Sequence, residues 1–298
     1  MHVESDGRTS SRAASRIHKS ASVFADAMPN FLVIGAPRAG TTWIERHLRQ
    51  HPQIFLPERK ELHFFDREEN FSRGIEHYRS FFRGADGADA VGEATPDYLH
   101  HPLAPARIKQ YLGEDVKLIV SLRDPVERAY SRYWNARGKF AENEGLSFEE
   151  KIARKPQFIY EGYYFDHLSR YLEHFDRRNI LCLLFDDLKA DGPAFMRTIY
   201  DFLAVDSGFV PRHSESVVNA SASKKRNGRS AVLFYLRGAA AKLRLDTLAD
   251  KLDELNRAPI PPLAPDTRRR LLHEHYLAQI EALEGLLGRD LASWKEGA

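Results

Sequence analysis

The chain has 298 residues, of which 43% are hydrophobic and 29% are charged, a composition typical of a globular protein with an ample core. Its 44 lysine and arginine residues against 42 aspartate and glutamate residues give a formal net charge of +2, which argues against a nucleic-acid partner. The single cysteine, Cys182, excludes a disulfide within the chain and fits a reducing, cytoplasmic compartment.

Residues 1–28 are rich in serine, arginine and alanine and contain no sustained apolar run. We therefore predict a disordered leader rather than a secretory signal or a membrane anchor. An amphipathic targeting segment is the weaker alternative, because the acidic residues Glu4, Asp6 and Asp26 do not suit one. Residues 29–298 are predicted to form one domain without stable membrane insertion, since no stretch has the length of a transmembrane helix.

The segment FLVIGAPRAGTTW, residues 31–43, contains a strand, a glycine turn and the start of a helix. Its first four residues are apolar without alternation, which predicts a strand buried on both faces. A turn from Gly35 to Gly40 follows, and a helix is expected to begin at Thr41. Backbone amides and the helix dipole converge at such a point and bind phosphate or sulfate. An ordinary turn without a ligand is the alternative.

The spacing of Gly35, Gly40, Thr41 and Thr42 almost matches the nucleoside-triphosphate loop GxxxxGK[ST]. Thr41, however, stands where that loop has the lysine that reaches the terminal phosphates. The cation of this loop is Arg38, which lies inside the turn. The loop is therefore predicted to hold an anion that lies across it.

With these residues, GAPRAGTTW resembles the 5′-phosphosulfate-binding loop of sulfotransferases that use 3′-phosphoadenosine 5′-phosphosulfate (PAPS). Arg38 stands where many eukaryotic members have a lysine, which replaces a point charge by a planar fork. The resemblance implies that the donor is bound by Pro37, Arg38, Ala39, Gly40, Thr41, Thr42 and Trp43.

The segment IFLPERKELHFFD, residues 54–66, carries acidic and imidazole groups between apolar residues. In an extended backbone Glu61 and His63 would point to the same side and form a proton-accepting pair. A solvated strand edge with buried phenylalanines is the alternative. KELHFFD is also similar to the catalytic segment of heparan sulfate sulfotransferases and their bacterial relatives. That resemblance implies that Glu61 is the general base, that His63 assists it, and that Asp66 belongs to the acceptor side.

GEATPDYL follows a short apolar stretch near residue 90. The same relatives have a lysine where this chain has Ala94, which leaves Arg38 as the expected cation near the sulfuryl group. Asp97 and Tyr98 are expected to face the acceptor, and a turn shaped by Pro96 and Asp97 is the alternative.

KLIVSL, residues 117–122, predicts a second buried strand, and RDPVERAYSRYWN follows it. Asp124 and Glu127 form a capping box, so a helix is expected to begin directly after the strand. Arg123 then stands at the carboxyl edge of the sheet, where open α/β folds bind ligands. The arrangement resembles the 3′-phosphate site of the same family and implies that Arg123 and Ser131 bind that phosphate. A salt bridge from Arg123 to Glu127 is the alternative.

Two later segments bear on function. NILCLLF, residues 179–185, predicts a third buried strand, and the Asp186 and Asp187 that end it are what a magnesium-dependent kinase would use. Residues 221–231 form a basic loop, which is either solvated or, as the resemblance implies, closes over the nucleotide. The loop residues assigned to the donor are Lys224, Lys225, Arg226, Asn227 and Gly228. The helical pattern at 232–258 suits a lid, an acceptor-binding helix or a membrane-surface contact, although a plain amphipathic helix is the favoured prediction.

Strands near residues 31, 90, 117 and 179 alternate with helices, which predicts a single α/β, P-loop-like domain with a central, mostly parallel sheet flanked by helices. With the resemblance, the predicted reaction is transfer of a sulfuryl group from PAPS to an acceptor hydroxyl, or less favourably an amine, without a metal. The predicted acceptor is a carbohydrate, a glycolipid or a small metabolite. A P-loop kinase of a small molecule and a non-catalytic nucleotide-binding module are the alternatives.

Overall fold

The structure is a computed structural model that describes residues 28–136, 145–214 and 260–297, together with Leu236, Ala240, Leu248, Lys251 and Leu252. The predicted leader, apart from Met28, lies outside the described residues. The basic loop at 221–231 and most of the helical stretch at 232–258 also lie outside them, so their predicted roles stay predictions.

Five parallel strands form the central sheet, in the order β2-β3-β1-β4-β5. Leu32 at the centre of the sheet lies opposite Glu93 on one side and Leu118 on the other. The predicted strands and their parallel arrangement are confirmed, and a two-residue edge strand is added. The strands are β1 (Phe31–Gly35), β2 (Ile54–Phe55), β3 (Ala90–Ala94), β4 (Lys117–Leu122) and β5 (Ile180–Leu184).

Helices connect the strands and flank the sheet. Those of the first half are α1 (Thr41–Leu48), α2 (Glu68–Phe71), α3 (Ile75–Arg79), α4 (Ala104–Leu112) and α5 (Pro125–Ala136). Those that follow are α6 (Phe148–Arg154), α7 (Gln157–Tyr160), α8 (Tyr164–Leu172), α9 (Phe185–Ala190), α10 (Gly192–Leu203), α11 (Pro265–Leu271), α12 (Leu277–Leu287) and α13 (Ala292–Lys295). Short 3₁₀ turns lie at Ser80–Phe82, Pro96–Tyr98 and Arg177–Asn179.

Strand β1 is buried along its whole length. Phe31 and Val33 pack into one apolar cluster with residues of α1 and α10, whereas Leu32 and Ile34 pack into a second cluster on the opposite face. Helices therefore cover both faces of the sheet, which explains why this strand is continuously apolar rather than alternating.

The C-terminal segment packs against the helices α5 and α8. A π-helical turn, Leu272–Tyr276, joins α11 to α12, and Gly288 ends α12 in the left-handed region with φ of 62°. Arg268 of α11 donates a 2.7 Å hydrogen bond to Asp124, which fastens this segment to the start of α5. Among the described helices, none is both long enough and apolar enough to cross a bilayer.

Candidate active site

The turn between β1 and α1, residues 36–40, is fixed by hydrogen bonds to Ser121 of β4. The amide of Ala36 donates to the carbonyl of Ser121 at 2.7 Å, and the Ser121 hydroxyl donates to the Ala39 carbonyl at 2.7 Å. Gly40 has a φ of 87°, and a Cβ there would lie 2.9 Å from Leu188, so the position requires glycine. The turn thereby delivers its backbone to the N-terminus of the eight-residue helix α1.

Trp43 is the residue of this loop that points elsewhere. Its ring lies 3.7 Å from the ring of His47 and 6.2 Å from that of Phe195, so the indole packs between α1 and α10. The expectation that the Trp43 side chain binds the donor is not supported by this packing. Its backbone still belongs to the first turn of α1.

Arg38 joins the turn to the later predicted motif. Its backbone is left-handed, with φ of 73°, and its Nε donates to the hydroxyl of Ser131 on α5 at 3.2 Å. The two positions lie 93 residues apart in the chain. The structure therefore brings the two predicted anion-binding motifs together on one side of the sheet. We call residues 36–42 together with Arg123 and Ser131 the nucleotide grip.

The nucleotide grip carries a concentrated positive charge. Burial, and after it the neighbouring charges of Arg123, Arg132 and Arg128, together lower the pKa of Arg38 to about 10, although Glu61 acts in the opposite direction. A partly buried guanidinium that lies near three others is stabilised by a bound anion. The arrangement is therefore suited to an anion that carries several negative charges.

Arg123 lies directly after β4 with 18% of its side chain exposed. Its Nη2 donates to Glu127 at 2.9 Å, and its guanidinium lies 5.1 Å from the ring of Phe185. The salt bridge considered as an alternative thus exists. It does not exclude phosphate binding, because a guanidinium has five N–H donors and Glu127 receives bonds from two of its nitrogens.

Helix α5 is anchored so that Ser131 stays in place. Asp124 caps the helix as predicted, because its Oδ1 accepts a 2.9 Å hydrogen bond from the amide of Glu127. Arg128 is fully buried and forms a 2.7 Å ion pair with Glu161, and Arg132 approaches the same carboxylate at 3.5 Å. Breaking such a buried pair is costly, so it fixes the helix firmly.

Residues 60–66, which we call the catalytic segment, are not extended as predicted. Glu61 and His63 both adopt left-handed backbone conformations, with φ of 57° and 53°. Their amides are bound by the end of β3 and the residue after it: Glu61 donates to the Ala94 carbonyl at 3.3 Å and His63 to the Thr95 hydroxyl at 3.4 Å. The predicted proximity of the side chains is nevertheless confirmed, since Glu61 Oε2 lies 3.9 Å from His63 Nε2.

Lys60 is a site residue that the sequence analysis missed. Its Nζ donates to the hydroxyl of Thr42 at 2.7 Å and lies 3.0 Å from Glu61 Oε1. This ammonium therefore bridges the nucleotide grip and the carboxylate of the catalytic segment. The adjacency of Lys60 to Glu61 in the sequence was the available signal.

His63 is oriented by Asp66. Its Nδ1 lies 2.8 Å from Asp66 Oδ2, and its Nε2 lies 3.2 Å from a guanidinium nitrogen of Arg67. This geometry assigns the proton of the neutral ring to Nδ1, since Arg67 has no acceptor atom. Burial alone would lower the pKa of His63, but the hydrogen bond and the charge of Asp66 outweigh it and raise that pKa.

Two residues expected on the acceptor side have other roles. The side chain of Asp66 is 7% exposed and engaged with His63, which makes it a partner of the histidine. Tyr98 is fully buried, and its hydroxyl donates to Glu93 at 2.6 Å, so it is a core residue and the expected acceptor contact is wrong. Asp97 is partly exposed and lies beside His63 and Asp66, as expected for the acceptor side.

Asp186 and Asp187 are engaged by other side chains. Asp186 accepts a 2.9 Å hydrogen bond from the indole of Trp294 and pairs with Lys189, while Asp187 pairs with Arg289 at 2.9 Å. These contacts tie α9 to the C-terminal segment. Both carboxylates therefore have structural partners. A kinase would need them as magnesium ligands, so these contacts argue against the kinase alternative.

The comparisons with known proteins agree on one family. A model of the sulfotransferase domain matches residues 28–231, more than half of the chain. The crystal structure of a sulfotransferase from Alicyclobacillus acidocaldarius superposes on the chain with a TM-score of 0.69 and 27% sequence identity. That superposition covers 91% of this chain and 100% of the other.

Curated relatives match parts of longer proteins. Human heparan sulfate glucosamine 3-O-sulfotransferase 3B1 is 33% identical over 194 residues, 62% of this chain and 48% of that protein. Human bifunctional heparan sulfate N-deacetylase/N-sulfotransferase 3 is 28% identical over 290 residues, 90% of this chain and 31% of that protein. Membrane-associated sulfotransferase kil1 of Dictyostelium discoideum is 37% identical over 140 residues, 44% of this chain and 29% of that protein. The chain spans less than half the length of each of these relatives.

Proposed function

The chain belongs to the sulfotransferase family, and from this premise we propose that it transfers a sulfuryl group from PAPS to an acceptor hydroxyl. The observation that carries the proposal is the 3.2 Å contact between the partly buried Arg38 and Ser131, which brings the two anion-binding motifs together with Arg123 nearby. PAPS has charged groups at both its 3′ and 5′ ends, so it needs two cationic contacts. The nucleotide grip supplies Arg38 in the turn and Arg123 after β4.

In this proposal the phosphosulfate lies over the amides at the start of α1, and Arg38 contacts its oxygens. The 3′-phosphate is held by Arg123 and by the hydroxyl of Ser131. The 3.2 Å contact between Arg38 and Ser131 supports a site compact enough for one nucleotide to reach both. Lys224, Lys225, Arg226, Asn227 and Gly228 remain proposed as a cover for the nucleotide.

The chemical step is a direct transfer. Glu61 accepts the proton of the acceptor hydroxyl while the hydroxyl oxygen forms a bond to sulfur. The bond between sulfur and the bridging oxygen breaks, and its electron pair stays on that oxygen, which leaves with 3′-phosphoadenosine 5′-phosphate (PAP). Arg38 and Lys60 stabilise the charge that develops on the leaving oxygen and the sulfuryl group.

His63 orients Glu61 in this mechanism. Its Nε2 lies 3.9 Å from the carboxylate, and Asp66 fixes its ring. Asp97 is proposed to contact the acceptor from the same side.

The test of the base is Glu61→Gln, which keeps the shape of the side chain and removes its basicity. We expect kcat to fall by about 10²- to 10⁴-fold, the usual contribution of a positioned general base, while the Kd for PAP stays unchanged. Glu58→Gln, an identical change at an exposed position of the same loop, is the control. Wild-type turnover in Glu61→Gln would remove Glu61 from the role.

The donor is tested by a thermal-shift comparison. A sulfotransferase should be stabilised by PAP, because a ligand that binds the folded state raises Tm. A small-molecule kinase should instead be stabilised more by ATP with Mg²⁺. Preference for ATP with Mg²⁺ would overturn the donor assignment.

The acceptor is proposed to be a carbohydrate hydroxyl. Two of the curated relatives carry heparan sulfate in their names, which supports this class, and a glycolipid or a small metabolite remains in the same proposal. Incubation with radiolabelled PAPS and panels of sugars, glycolipids, phenols and amines is the measurement. Label found on amines but not on hydroxyls would contradict hydroxyl transfer.

We also propose that the transfer needs no metal. The side chains of His63, Asp66 and Asp97 offer ligand atoms within 4.8 Å of one another, so they are the group to examine. The contact between His63 and Asp66 already gives two of them a role. Turnover should be the same after dialysis against EDTA, and loss that Mg²⁺ or Mn²⁺ restores would contradict this.

A cytoplasmic location is proposed for this domain. The support is the cysteine content of the chain, because Cys182 is its single cysteine and no disulfide can form within it. Fractionation of cells that produce the native protein should recover it with cytoplasmic markers, and recovery with membranes would contradict the proposal.

A further inference from the structure

Strand β3 carries a carboxylate that the reaction does not use. Glu93 is 2% exposed and lies beneath the catalytic segment. Three hydroxyl groups donate to it: those of Tyr98 at 2.6 Å, Thr95 at 2.6 Å and Tyr78 at 3.2 Å. A buried carboxylate that accepts three such bonds orients every one of the donors.

Two of these hydroxyls also accept hydrogen bonds from the catalytic segment. The amide of His63 donates to the hydroxyl of Thr95 at 3.4 Å, and the amide of Phe64 donates to the hydroxyl of Tyr98 at 3.0 Å. Because both hydroxyls give their protons to Glu93, their lone pairs are turned toward these amides. The backbone is therefore connected to Glu93 through one intervening hydroxyl at each point.

This connection matters because the segment has an unfavourable backbone. Glu61 and His63 are both left-handed, a region that side chains with a Cβ adopt only when the surroundings impose it. The opposite side of the segment is held by Asn70, whose amide donates to the carbonyls of Leu62 and His63 at 3.2 and 3.0 Å. The hydroxyls bound to Glu93 supply the other side of this clamp.

We propose that Glu93 is a positioning residue, which fixes the catalytic segment through the hydroxyls of Thr95 and Tyr98 and thereby aims Glu61 at the acceptor. The inference rests on the proposed function, in which Glu61 is the base. It gives Glu93 no contact with donor or acceptor. A carboxylate misdirected by even 1 Å loses much of its effect on the reaction, so the clamp should act on kcat.

Tyr78 offers a matched control, because its hydroxyl donates to the same Oε1 atom as that of Tyr98. Both tyrosines are fully buried, and both become phenylalanine by loss of one oxygen. The Tyr98 hydroxyl accepts a hydrogen bond from the amide of Phe64, in the catalytic segment. The Tyr78 hydroxyl donates to the carboxylate of Glu93. A merely structural role for the cluster would make the two substitutions equivalent in kcat.

The first experiment compares Tyr98→Phe with Tyr78→Phe at a temperature where both are folded. We expect kcat to fall at least about tenfold in Tyr98→Phe and less than about threefold in Tyr78→Phe. The Kd for PAP should equal that of the wild type in both. An equal loss of kcat in the two variants, or a parallel loss of PAP affinity in Tyr98→Phe, would overturn the proposal.

The second experiment uses a rescue at Thr95. Thr95→Val keeps the shape but removes the hydroxyl, and we expect a loss of kcat at least about tenfold. Thr95→Ser retains the hydroxyl and should recover kcat to within about threefold of the wild type. If serine and valine give the same kcat, the hydroxyl has no positioning role.

Failure of this proposal is distinguishable from failure of the proposed function. If Glu61→Gln abolishes turnover while all four hydroxyl variants stay within about threefold of the wild type, Glu61 is the base and Glu93 does not position it. If Glu61→Gln retains wild-type turnover, the base is another group and the inference about Glu93 falls with it.

Discussion

The nucleotide grip and the catalytic segment lie next to each other but are built in different ways. In the nucleotide grip, both arginines stand between regular elements, Arg38 between β1 and α1 and Arg123 between β4 and α5, and Ser131 lies within α5. In the catalytic segment, the residues lie outside helices and strands, and left-handed backbones at Glu61 and His63 aim the side chains.

The two regions therefore contribute differently to the site: the nucleotide grip contributes mainly charge, and the catalytic segment contributes mainly the position of its side chains. The grip is preorganised by parallel strands whose carboxyl ends meet at one edge, so that 93 residues of sequence separation become a 3.2 Å contact. The catalytic segment relies on side chains of neighbouring elements, such as Thr95 and Asn70, that bind its backbone. The grip should therefore lose function through lost charge, and the segment through lost geometry.

The largest expected effect after loss of the base is at the junction of the two regions. Arg38→Met removes the partly buried charge that interacts with Glu61 and is proposed to contact the donor, and we expect kcat to fall about 10²- to 10³-fold, as for other preorganised transition-state contacts. Steady-state kinetics with PAPS at saturation is the measurement. Arg46→Met, an exposed arginine on α1, is the control and should retain wild-type turnover.

Arg38→Lys sharpens the same comparison. It keeps the charge but loses the fork, so kcat should lie between those of the wild type and Arg38→Met. Wild-type kcat in Arg38→Met would show that the charge of Arg38 does not contribute to the reaction. The conclusion that the nucleotide grip acts mainly through charge would then be wrong.

A smaller effect is expected at the far end of the grip. Arg123→Met should raise the Kd for PAP about 10- to 100-fold, because a charge-assisted hydrogen bond to phosphate is worth about 1.5–3 kcal/mol. The change in kcat at saturating donor should be smaller than that in Arg38→Met, since Arg123 is assigned to the non-reacting phosphate. Isothermal titration with PAP gives the Kd.

Glu127→Gln is the matched control for Arg123. It removes the acidic partner and leaves the guanidinium in place, so PAP should bind at least as tightly as to the wild type. Weaker binding in Glu127→Gln, of the size seen in Arg123→Met, would mean that the ion pair rather than the phosphate contact is the function of Arg123.

What the sequence could predict follows the same division. Strands β1, β4 and β5 are apolar runs, and the N-cap at Asp124 is local, so spacing along the chain was sufficient to place Arg123 after β4 and Ser131 on α5. Their expected binding of the donor came from the resemblance, and the other half of the predicted capping box is absent because the Glu127 side chain bonds to Arg123. Strand β2 has two residues, too few for any periodic pattern. The grip was therefore largely predictable, because its geometry follows from regular elements.

The catalytic segment resisted prediction for a physical reason. Left-handed conformations at non-glycine residues come from tertiary hydrogen bonds, which no local pattern reports. Tertiary hydrogen bonds also explain why the prediction for Tyr98 was wrong, because its hydroxyl donates to the buried carboxylate of Glu93. They explain why Lys60 was missed, because its ammonium donates to Thr42, 18 positions earlier in the chain. Residue types indicated the chemistry of Glu61 and His63, but their support came from β3.

The last expected effect is on the stability of the protein rather than on its activity. Burial raises the pKa of Glu93 from 4.5 to about 7, although its hydrogen bonds to Thr95, Tyr98 and Tyr78 act in the opposite direction. The folded state thus holds this proton more tightly than the unfolded chain does. The contribution of Glu93 to stability is fully present below pH 4.5 and is lost as the pH rises through about 7.

Glu93→Gln removes this titration and leaves that of His63 in place. Between pH 5 and 7, the unfolding free energy of the wild type should fall relative to that of Glu93→Gln by up to about 1.4 kcal/mol per pH unit. Urea unfolding of both proteins at several pH values measures this difference. Parallel pH profiles would contradict it, because a carboxyl group with an ordinary pKa would add no slope in this range. A difference of the expected sign would mean that the ionised carboxylate beneath the catalytic segment costs stability, as expected where a buried charge is kept to hold a functional backbone in place.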